Sequence, residues 1–192
     1  MADVLVLNAD AQPLSVLPIA TLTWQEAIKV YFLDRISIVD TYADWSINSP
    51  SIRMKVPSII MLRDYVKIGK AVRFSRYNLF LRDNFECQYC QKDFSSKAFE
   101  LTLDHYVPRS HGGKTIWNNS VSACSACNTK KANHREMKPK MLPYKPTYYE
   151  LADKRRNFPI QVPSMNWNEY LQWPEELVNI RGVKKNINKN ID

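Results

Sequence analysis

Two Cys-x-x-Cys pairs constrain the fold of this chain more than any other feature. They consist of Cys87, Cys90, Cys124 and Cys127, which are all the cysteines among the 192 residues. Each pair has the spacing of a zinc knuckle, a tight turn that directs two sulfurs at one ion. Two knuckles predict one tetrahedral Cys₄ site, whose zinc is structural because no coordination position stays open. Redox chemistry fits a single pair, but two pairs without a thioredoxin-like pattern favour the metal site.

Length and charge define the wider class of protein. A chain of 192 residues can bury a core, either as one domain with an added module or as two small domains. The net charge of +8 is concentrated, with −4 over residues 1–50, +5 over residues 51–86 and +6 over residues 87–145. This distribution suits a polyanion held near the cysteines, although a generally basic surface is the alternative.

The sequence also predicts where the protein works. Its first ten residues lack the basic start and the long apolar run of a secretory signal. No window of about 18 uncharged apolar residues predicts a transmembrane helix. Reduced cysteines that bind zinc are typical of a cytoplasmic protein, so we expect that localisation and no membrane partner.

We expect three regions along the chain. Residues 1–70 form a small α+β module, residues 71–145 hold the cysteine pairs, and residues 146–192 form a helical or extended tail. The tail contains Trp167 and Trp173, which we expect to pack a helical turn onto the body of the protein.

Local signals in the first region predict strands around one helix. The apolar run 4–7 is typical of a buried strand. Thr23 and Glu26 have the spacing of a capping box, which opens an amphipathic helix. Pro57 removes a backbone donor from residues 53–62, so we interpret that segment as extended or as an edge strand.

The residues between the two knuckles suggest a reaction centre. Asp104 and His105 end a short apolar strand, and a loop and a second strand-like segment, 116–123, follow. A helix then begins near Asn128, so the order is strand, loop, strand and helix, with zinc joining the two ends. This layout lets His105 and Asn128 converge on one face of the hairpin and helix.

Basic and aromatic residues alternate before the first knuckle, over residues 63–82. Such a mixture can bind phosphates and pack on sugars or bases. The alternative is a helix with its aromatic side chains in the core and its cations in solvent. The candidate nucleic-acid contacts in this segment are Arg73, Arg76 and Arg82.

Short motifs follow one another from Arg82 to His134. They are Asp104-His105, Pro108-Arg109-Ser110, Gly112-Gly113, Asn118-Asn119, Ala123-Cys124 and Cys127-Asn128-x-x-Lys131. Together these motifs resemble the zinc-stapled branch of the HNH endonucleases, and the start of the chain resembles such proteins more loosely. The resemblance implies an α+β fold with a ββα-metal core stapled by a Cys₄ zinc site, a small α+β N-terminal module and a helical C-terminal tail.

The resemblance also implies a role for each residue of the centre. His105 is the general base that activates a water, because the pKa of histidine lies near neutral pH. Asp104 and Asn128 supply oxygens to one divalent cation, Mg²⁺ or Mn²⁺. Asn119 is the middle Asn of the family name and orients His105 through the loop, with Asn118 as the alternative.

The chain departs from the family pattern at its third letter. That letter is often His, whereas the matching residue here is Asn128, as in H-N-N members of the family. His134 is a competing choice, but Asn128 directly follows Cys127, as the motif requires. Asn128 also has a competing interpretation as a helix N-cap. The resemblance adds three candidate phosphate contacts, which are Arg109, Lys130 and Lys131.

The function that the resemblance implies is that of a metal-dependent HNH endonuclease. It would hydrolyse phosphodiester bonds of double-stranded DNA, either by nicking or, as a homodimer, by cutting both strands. A zinc-stapled nucleic-acid-binding module without catalysis would explain the cage and the charge equally well. An RNA-directed nuclease is the third interpretation.

Overall fold

The computed structural model describes residues 3–48 and 52–181 of the chain. They belong to two compact units, of which the first joins the residues up to Ile68 to those from Pro159 onward, and the second spans Gly69–Phe158. Residues 146–158 therefore lie in the second unit and residues 159–181 in the first, unlike in the three-part division expected from the sequence. No helix among the described residues is long and apolar enough to cross a membrane.

The structure contains both helices and strands, which are numbered in chain order. They are β1 (Asp3–Leu7), β2 (Thr21–Thr23), α1 (Trp24–Phe32), β3 (Ile36–Asn48), β4 (Arg53–Leu62), α2 (Arg76–Arg82), β5 (Leu101–His105), β6 (Ser120–Cys124), α3 (Ser125–Lys131), α4 (Tyr148–Arg155), β7 (Ile160–Val162), α5 (Asn168–Leu171) and β8 (Val178–Ile180). The first unit contains β1 to β4, α1, β7, β8 and α5, and the second contains the rest.

The first unit is built on a four-stranded sheet with the order β2-β1-β4-β3. Strand β1 is antiparallel to β2 and parallel to β4, and β3 is antiparallel to β4. The expected capping box opens α1, since Thr23 Oγ1 accepts from the Glu26 amide at 3.3 Å and the Thr23 amide donates to Glu26 Oε2 at 2.9 Å. The sequence prediction of this helix start is confirmed.

Strand β4 is an inner strand, so its interpretation as an edge strand is wrong. Pro57 is tolerated there because both ladders are incomplete around it. Strand β1 pairs only with residues 59–61 of β4, beyond the proline. On the other side, the register of β3 shifts next to Thr41, the residue opposite Pro57. The missing N–H of proline therefore falls where the pairing is irregular.

The C-terminal tryptophans bury against the sheet of the first unit, as expected. Trp167 and Trp173 are 2% and 3% exposed, and they share a core with Leu5 and Ile59. The indole Nε1 of Trp167 also donates to the carbonyl of Ser58 at 2.9 Å. This packing explains why residues 159–181 belong to the same unit as the strands of the four-stranded sheet.

The core of the second unit is an antiparallel hairpin followed by a helix. In β5 and β6, Leu101 pairs with Cys124 and His105 pairs with Ser120. Helix α3 begins directly after β6, so Cys124 is the last residue of the strand and the N-cap of the helix. The register places the cysteine at one end of the hairpin and His105 at the other.

Helix α2 is joined to this hairpin by hydrogen bonds from a buried ion pair at its C-terminal end. Arg82 Nε contacts Asp83 Oδ1 at 2.8 Å, and both side chains are almost fully buried. The guanidinium also donates to the carbonyls of Trp117 and Ser120, at 3.2 and 2.8 Å. Asp83 Oδ2 accepts from the Ser122 amide of β6 at 2.7 Å. Arg82 is thus part of the core, and the prediction that it contacts nucleic acid is wrong.

Candidate active site

The four cysteines form one cluster, as their spacing predicts. Their sulfurs all lie within 4.8 Å of one another, and Cys90 Sγ is 3.9 Å from Cys124 Sγ. A tetrahedral ion with Zn–S bonds of about 2.3 Å places its sulfurs about 3.8 Å apart, so the cluster fits zinc. The cage connects the turn after α2 to the junction of β6 and α3, and it closes the ββα unit at that end.

Asp104 is a buried carboxylate with two partners. Its side chain lies near the end of β5, and the residue is 5% exposed. The hydroxyl of Tyr89, from the first knuckle, donates to Oδ2 at 2.5 Å. The ammonium of Lys131, from the last turn of α3, lies 3.0 Å from Oδ2. An ion pair and a hydrogen bond offset the cost of burying this charge.

Asn128 faces the same side of β5 as Asp104. It is the fourth residue of α3, whose N-cap is Cys124, so the N-cap interpretation of Asn128 is wrong. Its Nδ2 donates to Thr102 Oγ1 at 2.9 Å. Thr102 and Asp104 are two residues apart in a strand and therefore point to one face. The amide oxygen of Asn128 remains for a further partner.

His105 is half-buried at the end of β5. Its Nε2 lies 2.8 Å from Thr115 Oγ1, and its carbonyl accepts from Lys131 Nζ at 2.7 Å. Burial lowers the pKa of His105 below its usual value; the cations Arg109 and Lys131 lower it further, and Asp104 opposes them. The imidazole therefore stays neutral down to a lower pH than usual, and the neutral imidazole is the form that can accept a proton.

Asn119 fixes the loop that joins β5 to β6. It is 7% exposed, and its Oδ1 accepts from the Val107 amide at 2.8 Å. Its Nδ2 donates to the carbonyls of Val107 and Lys114, at 3.1 and 2.9 Å. Asn118, the alternative, is exposed. The two ends of the loop are therefore tied through one side chain, and the loop begins directly after His105.

The predicted nucleic-acid contacts differ in their exposure. Arg73, Arg76, Arg109 and Lys130 are exposed. Lys131 is only 1% exposed and is bonded to Asp104 and to the backbone of His105. The prediction that Lys131 contacts phosphate is therefore wrong, because its ammonium is used inside the protein.

Two residues of the site were missed in the sequence. Tyr89 contacts Asp104, and Thr115 contacts His105. The one signal in the sequence for Tyr89 was its position between Cys87 and Cys90, because a residue inside a knuckle lies close to the elements that the cysteine cage joins. Thr115 lies in a loop, and no periodicity or motif of the sequence connects it to His105.

Comparison with known families agrees with this geometry. Residues 87–134 match the model of the HNH endonuclease family. Residues 4–70 match the model of the HNH endonuclease-associated N-terminal domain. No curated protein matches the chain.

Proposed function

Because the chain contains an HNH endonuclease domain and the N-terminal domain associated with such endonucleases, we propose that it hydrolyses phosphodiester bonds of double-stranded DNA with His105 as general base. The observation that carries the proposal is the arrangement at the end of β5. There a neutral imidazole, oriented by Thr115, follows directly on the buried Asp104 carboxylate. A module that only bound nucleic acid would need neither group.

Thr115 supports the assignment of the reacting nitrogen. When its hydroxyl accepts the proton on Nε2 of His105, the lone pair of Nδ1 is left to take a proton from water. The water then attacks phosphorus, and Asn119 keeps the loop next to His105 in place. The lowered pKa of His105 acts in the same direction, since it keeps the base unprotonated near neutral pH.

Asp104 and Asn128 are the residues that would hold a divalent cation. Their carboxylate and amide oxygens lie on one face of β5, and hard oxygen ligands are those that Mg²⁺ and Mn²⁺ prefer. When bound, such a cation stabilises the negative charge that develops on the phosphate and the leaving oxygen. Lys131 compensates part of the charge of Asp104 and would share this carboxylate with the cation.

DNA is the proposed substrate because exposed cations lie in the same unit as the site. Arg73, Arg76, Arg109 and Lys130 all belong to residues 69–158 and can contact phosphates. One centre cuts one strand, so cleavage of both strands requires a homodimer or two successive nicks. An RNA substrate would use the same chemistry, and a parallel assay on RNA decides between the two.

The first prediction concerns His105. In a supercoiled-plasmid assay with Mg²⁺ or Mn²⁺, His105→Ala should lower the nicking rate by at least about 100-fold, because it removes the general base. His111→Ala is the matched control, since this exposed histidine lies in the same loop region and should keep wild-type activity. EDTA should stop the wild-type reaction, and zinc content should be equal in all three proteins.

Wild-type nicking by His105→Ala would rule out this mechanism. A wild-type protein that binds plasmid but does not nick it with either cation would favour the non-catalytic binding module.

A further inference from the structure

We propose that Tyr89 is a positioning residue that couples the cysteine cage to the cation-binding carboxylate of Asp104. This inference rests on the proposed function of Asp104 as a cation ligand. The contact itself is the short hydrogen bond from the Tyr89 hydroxyl to Asp104 Oδ2, at 2.5 Å. Tyr89 is half-buried and Asp104 is 5% exposed, so water has little access to compete for the carboxylate.

The position of Tyr89 is fixed by the knuckle that contains it. Tyr89 directly precedes Cys90, and the turn is closed by the amide of Gln91, which donates to the carbonyl of Cys87 at 2.8 Å. The Gln88 amide, next to Tyr89, donates to the carbonyl of Ser122 in β6 at 2.8 Å. The ring therefore starts from a backbone that is anchored on both sides, and a phenol ring reaches its partner with few rotatable bonds.

Asp104 is held from two directions. The hydroxyl of Tyr89 approaches from the first knuckle, and the ammonium of Lys131 approaches from α3 at 3.0 Å. Together these contacts restrict the carboxylate to one orientation, which also decides where its remaining lone pairs point. Partners that orient a metal ligand in this way are typically worth about 10- to 100-fold in metal affinity or activity.

The Tyr89 hydroxyl is therefore expected to set how well Asp104 binds its cation, while contributing nothing to zinc binding itself. The cage would then support the reaction at a distance, because it places the ring that orients the carboxylate. This role differs from that of a structural zinc site that only stabilises the fold.

The test is Tyr89→Phe, which removes the hydroxyl and keeps the ring. We expect Mn²⁺ binding, measured by titration calorimetry, to weaken by about 10-fold or more, and the Mn²⁺ concentration for half-maximal nicking to rise equally. Excess Mn²⁺ should restore most of the activity. Zinc content should match that of the wild type. Thermal unfolding should show a folded protein whose melting temperature is lowered only by the loss of one hydrogen bond to a charged group.

Tyr144→Phe is the matched control. The hydroxyl of Tyr144 also donates to a carboxylate of the second unit, but to that of Glu150 and not to that of Asp104. This variant should keep wild-type Mn²⁺ binding and nicking.

Equal Mn²⁺ affinity in Tyr89→Phe and wild type would overturn the inference. Loss of zinc from Tyr89→Phe would also overturn it, because the hydroxyl would then have a role in the cysteine cage alone. The calorimetry separates a failure of this inference from a failure of the proposed function, because it measures Mn²⁺ binding without DNA cleavage. A wild-type protein that binds Mn²⁺ without cutting DNA contradicts the nuclease proposal, whereas weaker binding by Tyr89→Phe still supports the positioning role.

Discussion

At the scale of single residues, the loop after His105 has no room for an added side-chain atom at Gly113. A Cβ there would lie 1.8 Å from the carbonyl oxygen of Val107 and 2.9 Å from Nδ2 of Asn119. Both atoms belong to the hydrogen bonds by which Asn119 closes the loop. Glycine is required at this position because of the close approach of the backbone, which no other residue permits.

Gly113→Ala should therefore displace the loop and weaken both the fold and the site. We expect a loss of about 1–3 kcal/mol in the free energy of unfolding, as for other overpacked positions, and a loss of nicking activity. Gly69→Ala is the matched control, because a Cβ at Gly69 would meet nothing within 4 Å and should change stability by less than about 0.5 kcal/mol. Thermal unfolding and the plasmid assay check both variants, and equal behaviour of the two would contradict the structure of this loop.

At the scale of the elements, α2 is bound to the hairpin by charge as well as by apolar packing. Arg82 and Asp83 form a buried pair that also bonds three backbone groups of β6 and the preceding turn. The turn it holds, Trp117–Asn119, contains the side chain that closes the loop after His105. Helix α2 therefore supports the candidate site from outside residues 87–134, which match the HNH endonuclease model.

Arg82→Ala should be strongly destabilising, because it leaves the charge of Asp83 buried and uncompensated. Breaking a buried pair of this kind costs roughly 3–5 kcal/mol. Arg76→Ala, at the exposed start of the same helix, should cost less than about 0.5 kcal/mol. Urea denaturation measures both values, and an Arg82→Ala protein as stable as Arg76→Ala would contradict the structural role of the pair.

At the scale of the whole molecule, the positive charge belongs to one of the two units. Residues 69–158 contain 17 basic and 8 acidic residues, a net charge of +9, whereas the other residues contain 10 basic and 11 acidic ones, a net charge of −1. Since the net charge of the chain is +8, the second unit accounts for all of its net positive charge, and the proposed DNA substrate should be attracted to that unit. The HNH-associated N-terminal domain, which falls within the near-neutral unit except for residues 69–70, is not expected to add to that attraction.

DNA binding should consequently depend steeply on salt, and the dependence should come from the second unit. The test measures the DNA association constant at several salt concentrations, in EDTA so that no DNA is cut. The double substitution Arg76→Ala and Lys130→Ala should flatten the slope of the logarithm of this constant against the logarithm of the salt concentration by about 0.9 for each DNA phosphate that the variant no longer neutralises. The matched double substitution in the first unit, Lys29→Ala and Lys55→Ala, removes exposed charges and should leave the slope unchanged. Equal slopes for the two double variants would contradict this assignment of the binding surface.

Much of the local structure follows from the sequence because its signals are local. The spacing of Cys87, Cys90, Cys124 and Cys127 predicted the cage, and Thr23 and Glu26 predicted the start of α1. These patterns depend on residues a few positions apart, whose geometry the backbone alone restricts. Pro57 misled the interpretation of β4, because the irregular pairing that tolerates it involves strands distant in the sequence.

The sequence by itself determined the residue types of the cage and the family to which the motifs belong. Only the tertiary structure decided which charged groups face solvent and which are used inside. Arg82 and Lys131 look like phosphate contacts in the sequence, yet both are buried beside carboxylates. Tyr89 and Thr115 carried no such expectation, yet they contact Asp104 and His105. The reason is physical: burial and pairing depend on neighbours brought together by folding, and these neighbours set the role of a charge.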